Sequence, residues 1–303
     1  MLIKYVHHKF RNDSLELIAL ANQIIKDMSA QGYDLTLRQL YYQFVARDLI
    51  ENSERSYKRI GAMLNKARLS GLVSWYAIED RGRHCTRYSF QEDEHEVLNG
   101  LQYGVNIDHW ARQDTYIEAW VEKDALIGVL KKPCERYDVP HMACKGYVSA
   151  SEAWRAGRRF KQKREEGKNC VLIHLGDHDP SGLDMTRDNR DRLTLFSESN
   201  GVEVIRLALN MDQIEELKPP PNPAKLTDSR CGGYISQYGK SSWELDALDP
   251  KYIDNIVTNE IEKHIDFDEW ERCTDIQEER RQYLSRLYGS WDEVKDFLDE
   301  NGL

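Results

Sequence analysis

Residues 171–182 read VLIHLGDHDPSG, an apolar run followed by two aspartates and a Pro-Ser-Gly turn. An apolar run of this length, bounded by turn residues, predicts a buried strand of a parallel sheet. In open α/β sheets ligands bind beyond the carboxyl ends of the strands, which is where Asp177 and Asp179 stand. A D-x-D pattern alone is more typical of an acidic surface loop, so its meaning depends on what the rest of the chain places beside it.

The stretch sits inside a run of alternating strands and helices. Strands are predicted over residues 115–122, 141–146, 171–175 and 202–209. Helices are predicted after residue 123 (interrupted or ended near Pro133), over 149–167 with Ser149 or Ser151 as cap, and from about 182. This alternation predicts an α/β domain with a mainly parallel sheet. The glycines show no G-x-G-x-x-G spacing, so a dinucleotide site is unsupported.

Carboxylates end two of these strands. Glu122 ends the first strand, and Asp177 and Asp179 follow a later one, so the three should converge on one edge of the sheet. Three carboxylates repel one another unless a cation neutralises them, and oxygen ligands suit Mg²⁺, with Mn²⁺ as an alternative. The sequence therefore predicts a metal site formed by Glu122, Asp177 and Asp179.

Other side chains near this edge are candidates for lesser roles. Lys123 and Lys145 stand at the same edge and offer positive charge to a phosphate. His174 and His178 are weaker candidates for metal ligands. His178 lies between the aspartates and should point away from them in an extended segment.

The N-terminal region is predicted to hold three short helices, over residues 14–31, 36–50 and 55–70, opened by Ser14, Thr36 and a turn at 51–55. A strand over 72–80 and a turn at 80–83 follow. Three helices and a β wing describe a winged helix, a relative of the helix-turn-helix. The third helix carries the basic residues expected of a helix that meets DNA: Arg55, Lys58, Arg59 and Lys66. The alternative is a small helical domain with a solvated basic face.

Charge is distributed unevenly along a chain whose net charge is −10. Residues 1–90 carry 14 Lys and Arg against nine Asp and Glu, whereas residues 211–303 carry 11 against 22. A basic N-terminal region is consistent with DNA binding, although the excess is modest. The sequence shows no membrane span and no signal-peptide pattern, and its six scattered cysteines fit free thiols in a reducing cytoplasm.

A second candidate site lies on the predicted helix over residues 36–50. Arg38 and Tyr42 are four residues apart and share a face of that helix. A guanidinium beside a phenol can lower the cost of forming phenolate and can hold a phosphate. The pair therefore suits nucleophilic attack on a phosphodiester. The alternative is that Tyr41 and Tyr42 are both core aromatics, which the pattern alone favours.

Several motifs together resemble a known family. VEKDAL at 121–126, KGY at 145–147 and GDHDPSG at 176–182 resemble a Toprim domain, the metal-binding unit of topoisomerases, primases and some nucleases. TLRQLYYQ at 36–43 resembles the motif of the topoisomerase VI A subunit and its meiotic double-strand-break relatives. SSWELDAL at 241–248 resembles a further segment of that family.

The resemblance implies a domain order and roles for individual residues. It implies a winged-helix domain over 1–90, a linker over 91–113, a Toprim domain over 114–215 and a helical C-terminal extension over 216–303. Tyr42 matches the nucleophile, Arg38 the arginine before it, and Glu122, Asp177 and Asp179 the metal ligands, whereas Tyr41 matches a structural neighbour. The chain is shorter than typical A subunits, and Ser181 stands where other Toprim proteins often have an acid.

The implied activity is cleavage of double-stranded DNA by tyrosyl transesterification, with Mg²⁺ and a 5′-phosphotyrosyl intermediate, as in type IIB topoisomerases. The resemblance also implies a nucleoid-associated homodimer in which Tyr42 of one protomer meets the Toprim site of the other. A B-type ATPase partner would be needed for strand passage, since the chain has no phosphate-binding glycine loop. Two alternatives stay open: a hydrolytic nuclease that uses the Toprim acids alone, and a DNA-binding or assembly protein without catalysis.

Overall fold

The computed structural model describes residues 2–79, 93–224 and 228–302. Three helices come first: α1 (Asn12–Ala30), α2 (Leu37–Ala46) and α3 (Glu54–Leu69). Their apolar faces share one core, formed by residues that include Ile18, Ile24, Leu40, Phe44, Ile60 and Leu64. The three predicted helices are therefore confirmed, with ends that differ from the prediction by one to four residues.

Local capping explains where these helices begin. Thr36 caps α2: its side chain accepts from the N–H of Gln39, and the Gln39 side chain accepts from the N–H of Thr36, forming a capping box. Ser53 caps α3 in the same way through the N–H of Ser56. The prediction that Ser14 caps α1 is wrong. The helix begins two residues earlier, and the carbonyl of Arg11 accepts the N–H of Ser14 inside it.

The segment after α3 departs from the predicted wing. Residues 72–79 form no strand, and an isolated bridge between Thr36 and Glu79 is the pairing found there. The guanidinium of Arg68 donates to the carbonyls of Trp75 and Ile78 at 2.9 and 2.7 Å, so these acceptors are satisfied without a partner strand. The predicted turn at 80–83 lies outside the described residues.

The remaining elements follow in chain order. They are α4 (Glu94–Gly104), β1 (Thr115–Val121), α5 (Ile127–Arg136), β2 (His141–Ala143), α6 (Ala150–Glu165), β3 (Asn169–Leu175), α7 (Pro180–Ser197), β4 (Val202–Ala208), α8 (Met211–Leu217), β5 (Asn222–Pro223), α9 (Cys231–Tyr238), β6 (Ser241–Ser242), α10 (Pro250–Glu262), α11 (Phe267–Gly289) and α12 (Trp291–Asn301). Short 3-10 turns span Asp124–Leu126 and Leu245–Ala247.

The strands form a four-stranded sheet in the order β2-β1-β3-β4. β1 pairs with β2 and β3 pairs with β4 in parallel, so the predicted α/β class with a parallel sheet is confirmed. The carboxyl ends of parallel strands lie at one edge, as the sequence requires for its acidic residues to meet. The two-stranded pair β5-β6 is antiparallel.

The sheet buries its apolar side chains against α6 and α7. Trp120, Phe160, Leu172 and Leu193 belong to this core. α6 and α7 approach closely at Gly157, where a Cβ atom would overlap Phe196. Ser149 caps α6, as predicted.

Two prolines behave differently from expectation. Pro133 neither interrupts nor ends α5, which continues to Arg136, with Pro133 and Cys134 buried on its inner face. Pro180 does not form a turn before α7. It occupies the first helical turn, where its fixed φ suits the helix and its missing N–H costs nothing.

The described chain divides into two compact units. One contains Met1–Arg83 and Tyr116–Glu262, and therefore holds the three N-terminal helices, the sheet and the segment 216–262. The other contains His84–Thr115 and Lys263–Leu303, in which α4 packs against α11 and Lys295 pairs with Glu94. Within the described ranges, no helix has the length and apolar character needed to cross a membrane.

Candidate active site

The carboxyl edge of the sheet brings Glu122 and Asp177 together. The N–H of Glu122 donates to the carbonyl of Leu175 at 2.8 Å, which holds the end of β1 beside the end of β3. In return, the N–H of Asp177 donates to Oε2 of Glu122 at 2.9 Å. Both carboxylates are buried. The sequence-based expectation that they share one edge therefore has a direct geometric counterpart.

Asp179 stands at the same edge in a capping role. Its Oδ1 accepts the N–H of Gly182 at 2.7 Å, which makes Asp179 the N-cap of α7. Gly182 is required here because a Cβ at this position would overlap the carbonyl oxygen of Asp177. The sequence DHDPSG thus combines a helix cap, a proline suited to the first turn and a glycine that permits close approach.

Lys123 lies between the carboxylates of two separate segments. Its Nζ is 2.7 Å from Oδ2 of Asp177, 3.1 Å from Oε2 of Glu244 and 3.3 Å from Oδ2 of Asp246. The backbone reinforces this junction, since the N–H of Leu245 donates to Oδ1 of Asp177 at 2.8 Å. Lys123 is therefore a partly buried counterion of these carboxylates, whereas the sequence predicted that it would be available for phosphate.

Arg38 reaches the same acidic segment from α2. Its guanidinium pairs with the Glu244 carboxylate, and its Nε lies 3.1 Å from Oδ2 of Asp246. The hydroxyl of Tyr42 faces the same carboxylate, whose negative charge adds to burial in raising the pKa of this phenol. We call these residues the Glu244 cluster: Arg38, Tyr42, Lys123, Asp177, Glu244 and Asp246. The cluster joins the two candidate sites of the sequence analysis within one chain. Their meeting across two protomers, which the family resemblance implied, stays a prediction.

The charges of the cluster shift the acidity of its members. Burial raises the pKa of Tyr42 to about 12, and the Glu244 carboxylate adds to this rise more than Arg38 opposes it. Burial alone would raise the pKa of Glu244, yet Lys123 and Arg38 hold it at about 2. Glu244 is therefore an anion at neutral pH, and Tyr42 beside it is a neutral phenol.

Asp177 experiences the opposite balance to Glu244. Burial raises the pKa of the Asp177 carboxyl well above its usual range, and the neighbouring Glu122 raises it further, although Lys123 opposes the rise. Burial likewise raises the pKa of Glu122. Ionisation of the two carboxyls at the sheet edge is therefore unfavourable relative to a carboxyl in water, as it is for acidic groups in a cation site.

The neighbouring Tyr41 is engaged differently. Its hydroxyl donates to Oδ1 of Asn52 at 3.0 Å and accepts from the N–H of Ser53 at 2.9 Å. Its ring makes edge-on contacts with Tyr42 and Tyr57 at centroid distances of 5.2 and 5.3 Å. Tyr41 thus fixes the turn between α2 and α3, in keeping with the structural part that the resemblance gave it.

A cavity of about 700 Å³ opens beside Tyr42. Its volume lies in the range of ligand pockets, and its wall combines aromatic rings with polar and charged groups. The lining residues include Arg38, Tyr41, Tyr42, Tyr57, Lys58 and Glu244. The β5 residue Asn222 completes one side, held by a 2.8 Å hydrogen bond from Asn52. Of the Glu244 cluster, Arg38, Tyr42 and Glu244 are therefore reached from this cavity.

The donor chemistry of the sheet edge suits Mg²⁺, because Glu122, Asp177 and Asp179 all offer carboxylate oxygens. Asp246 adds a buried carboxylate, although its Oδ2 already forms ion pairs with Arg38 and Lys123. In the conformation described, however, Lys123 lies against Asp177, and no group of three or more Asp, Glu, His or Cys side chains among the described residues is arranged to hold a metal. The carboxylate oxygens are of the type that Mg²⁺ prefers. In this conformation, however, the ammonium of Lys123 contacts those of Asp177.

The remaining basic candidates lie on the surface. Arg55, Lys58, Arg59 and Lys66 are exposed along α3. Lys58 pairs with Glu54 at 2.7 Å within the same helix. Lys145, with a left-handed φ of 57°, is exposed after β2 and lies 3.3 Å from Asp124. All five retain side chains that a DNA backbone could reach.

The two histidines take structural positions. His178 faces away from the carboxylates, as expected: its ring packs against Tyr238 and Trp243, and its Nδ1 is 2.9 Å from the hydroxyl of Tyr234. His174 is fully buried with Nδ1 2.8 Å from Oγ1 of Thr186. The Nε2 atom of His174 is buried and has no hydrogen-bond partner among the described residues.

Three charged residues at this edge were missed by the sequence analysis as site residues: Arg206, Glu244 and Asp246. An arginine inside the apolar strand VEVIRLAL was a signal, since a charge in such a strand needs buried partners. The pair Glu244 and Asp246 lies in the WELDAL segment that contributed to the resemblance, but its partners are distant in sequence. Arg38 and Glu244 are 206 positions apart.

Comparison with known proteins adds no further assignment. No protein-family model matches this chain, and no curated protein matches it.

Proposed function

We propose that this protein cleaves double-stranded DNA by tyrosyl transesterification, as a short relative of the topoisomerase VI A subunit. In this proposal the three N-terminal helices serve as a DNA-binding region without the predicted wing, and the parallel sheet with its acidic edge serves as a Toprim domain. The observation that carries the proposal is the Glu244 cluster, because it brings Arg38 and Tyr42 of α2 to the strand ends that bear Glu122 and Asp177.

The proposed reaction is an exchange of one ester for another. The hydroxyl oxygen of Tyr42 attacks a backbone phosphorus, and the bond from that phosphorus to the 3′ oxygen breaks. The products are a 5′-phosphotyrosyl bond and a free 3′-hydroxyl, and the phenolic proton is balanced by the proton that the 3′ oxygen gains. Arg38 holds the attacked phosphate and offsets its developing negative charge.

Glu122, Asp177 and Asp179 would hold Mg²⁺, or Mn²⁺ in its place. When bound, the ion supplies positive charge beside the phosphate backbone. Exposed cations on α3, among them Arg55 and Lys66, would bind the DNA backbone without reading its sequence.

A double-strand break requires two nucleophiles, and each chain supplies one Tyr42. We therefore include a homodimer in the proposal, with one strand cut by each protomer. ATP-driven strand passage would need a B-type ATPase partner chain, whereas cleavage alone would not.

The experiment that tests the proposal is capture of a covalent adduct. A duplex labelled at its 3′ ends is incubated with the protein and Mg²⁺ or Mn²⁺, then denatured, and label that migrates with the protein is measured. Wild-type protein is expected to retain label, Tyr42→Phe to retain none, and Tyr76→Phe to behave as wild type, since Tyr76 is an exposed tyrosine of the same region. Adduct that persists in Tyr42→Phe would disprove the assignment.

A hydrolytic nuclease is the second candidate, favoured by one observation: Tyr42 is a buried phenol whose pKa is raised, so it is a reluctant nucleophile in this conformation. That candidate uses the acidic edge alone. It predicts free 5′-phosphates, cutting that survives in Tyr42→Phe, and cutting that is lost in Asp177→Ala. If the protein binds DNA but does not cut it with any metal tested, both candidates are wrong. A binding or assembly role would then be indicated.

A further inference from the structure

The Glu244 carboxylate lies beside three groups of different kinds. It pairs with the guanidinium of Arg38, lies 3.1 Å from the ammonium of Lys123, and lines the same cavity as the hydroxyl-bearing ring of Tyr42. A phosphate placed for attack by Tyr42 would have the same neighbours, namely two cations and the tyrosine hydroxyl. The carboxylate is thus bound as a phosphate would be.

We infer that Glu244 occupies the binding site of a DNA backbone phosphate, and that the phosphate binds by displacing it. The ligand is a phosphodiester, an anion with two free oxygens that Arg38 and Lys123 can share. This inference rests on the proposed function, since it places the attacked phosphate beside Tyr42.

Access and local packing support an exchange of this kind. Glu244 lines the cavity of about 700 Å³ beside Tyr42, and its side chain retains 22% of its exposure. Tyr57 and Lys58 line the same cavity, together with Glu54, which pairs with Lys58. Glu244 can therefore rotate toward solvent while a phosphate enters from the same side.

Asp246 explains why the cluster would survive the exchange. Its side chain is fully buried, and its Oδ2 lies 3.1 Å from Nε of Arg38 and 3.3 Å from Nζ of Lys123. Both cations therefore keep a fixed counterion when Glu244 leaves. The two carboxylates have different roles: Asp246 holds the cations in place, and Glu244 competes with the ligand.

The inference predicts that removing the competitor strengthens DNA binding. Affinity for a short duplex is measured by fluorescence anisotropy in EDTA, so that neither metal nor cleavage contributes. Glu244→Gln is expected to bind roughly fivefold or more tightly than wild type, with a slope of log affinity against log salt that is steeper by about one, because an additional phosphate contact forms. Glu51→Gln removes the same charge from an exposed position and is expected to change affinity less than about twofold.

Two further arms locate the effect. In Arg38→Gln combined with Glu244→Gln the gain should disappear, because the freed cation is absent. Inorganic phosphate, at matched ionic strength, should compete with DNA more effectively for Glu244→Gln than for wild type. Competition by free phosphate without any gain in DNA affinity would mean that the site accepts a small anion but no DNA backbone, which would overturn the inference.

A second variant and a thermal unfolding measurement serve as controls for misfolding of the Glu244 variants. Glu244→Asp keeps the charge but withdraws the carboxylate, and it should give a smaller gain than Glu244→Gln. Equal affinities for Glu244→Gln and Glu51→Gln in folded protein would also overturn the inference. If Glu244→Gln binds DNA more tightly but no variant forms an adduct, the phosphate site is supported and the proposed cleavage activity is wrong. If a Tyr42-dependent adduct forms but Glu244→Gln binds no more tightly, the cleavage activity is supported and the phosphate site is wrong.

Discussion

The guanidinium of Arg206 donates a 2.6 Å hydrogen bond to the backbone carbonyl of Asp177. The same side chain also donates to the carbonyls of Gly176, Gly182 and Leu209 at 3.0–3.2 Å and to Oγ1 of Thr186 at 2.7 Å. One arginine from β4 therefore holds both ends of the loop that carries Asp177 and Asp179. Burial lowers its pKa to about 10, so it keeps its charge at neutral pH.

Replacement of Arg206 should destabilise this loop. In Arg206→Leu several buried carbonyls lose their donor, and the expected loss is about 2–4 kcal/mol in the free energy of unfolding. Urea denaturation measures it. Arg190→Leu is the matched control, because within the described residues Arg190 makes one hydrogen bond, of 3.2 Å to the carbonyl of Val204, and its loss should cost clearly less. Equal losses in the two variants would show that Arg206 has no special hold on the loop.

The sequence predicted the sheet well because its signals are local. Strand β3 is a continuous apolar run, Thr36 caps a helix three residues before Gln39, and parallel strands place their carboxyl ends together by topology alone. These features explain why Glu122 and Asp177 could be expected at one edge before their contacts were known.

The rest depends on contacts between distant segments. Arg206 acts through backbone carbonyls, which no side-chain pattern reveals. Lys123 was predicted to bind phosphate because no local pattern indicates that Glu244 and Asp246, more than 100 residues later, neutralise it. The predicted wing failed for a similar reason, since Arg68 satisfies the carbonyls of residues 75 and 78 that a strand would have paired.

A buried histidine near the acidic loop should make stability depend on pH. Burial, with the charge of Arg206 adding to it, lowers the pKa of His174 to about 3. Between the unfolded value near 6.5 and this folded value, the unfolded chain binds a proton that the folded chain does not. The contribution of His174 to stability is therefore fully present above about pH 6.5 and falls as the pH drops, with a slope of up to about 1.4 kcal/mol per pH unit.

The measurement is the free energy of unfolding from urea titrations at several values between pH 7 and pH 4.5. His174→Gln cannot take up the proton, so its curve should be flatter than that of wild type over this window, whatever its stability at pH 7. His141→Gln serves as the control because His141 is only partly buried, and its curve should parallel wild type. If His174→Gln and wild type lose stability in parallel, another group is responsible for the acid sensitivity.

Lys123 offers a test of whether the acidic edge can accept a divalent cation. Burial disfavours its charge, but the carboxylates of Asp177, Asp246 and Glu244 raise its pKa above the usual lysine value. In Lys123→Gln these carboxylates lose the cation that they share, and the expected cost is about 3 kcal/mol, because breaking a buried ion pair leaves charge uncompensated. A divalent ion that binds the folded state but not the unfolded state should recover part of that stability.

The readout is the unfolding temperature in EDTA and in millimolar Mg²⁺ at matched ionic strength. Mg²⁺ is expected to raise the unfolding temperature of Lys123→Gln by more than that of wild type, in which the ammonium competes with the ion. Lys145→Gln is the control, since Lys145 is exposed at the same edge and pairs only with Asp124 among the described ion pairs. The same Mg²⁺ response in all three proteins would mean that Glu122, Asp177 and Asp179 bind no cation in place of the lysine, and the metal part of the proposed function would then have to be abandoned.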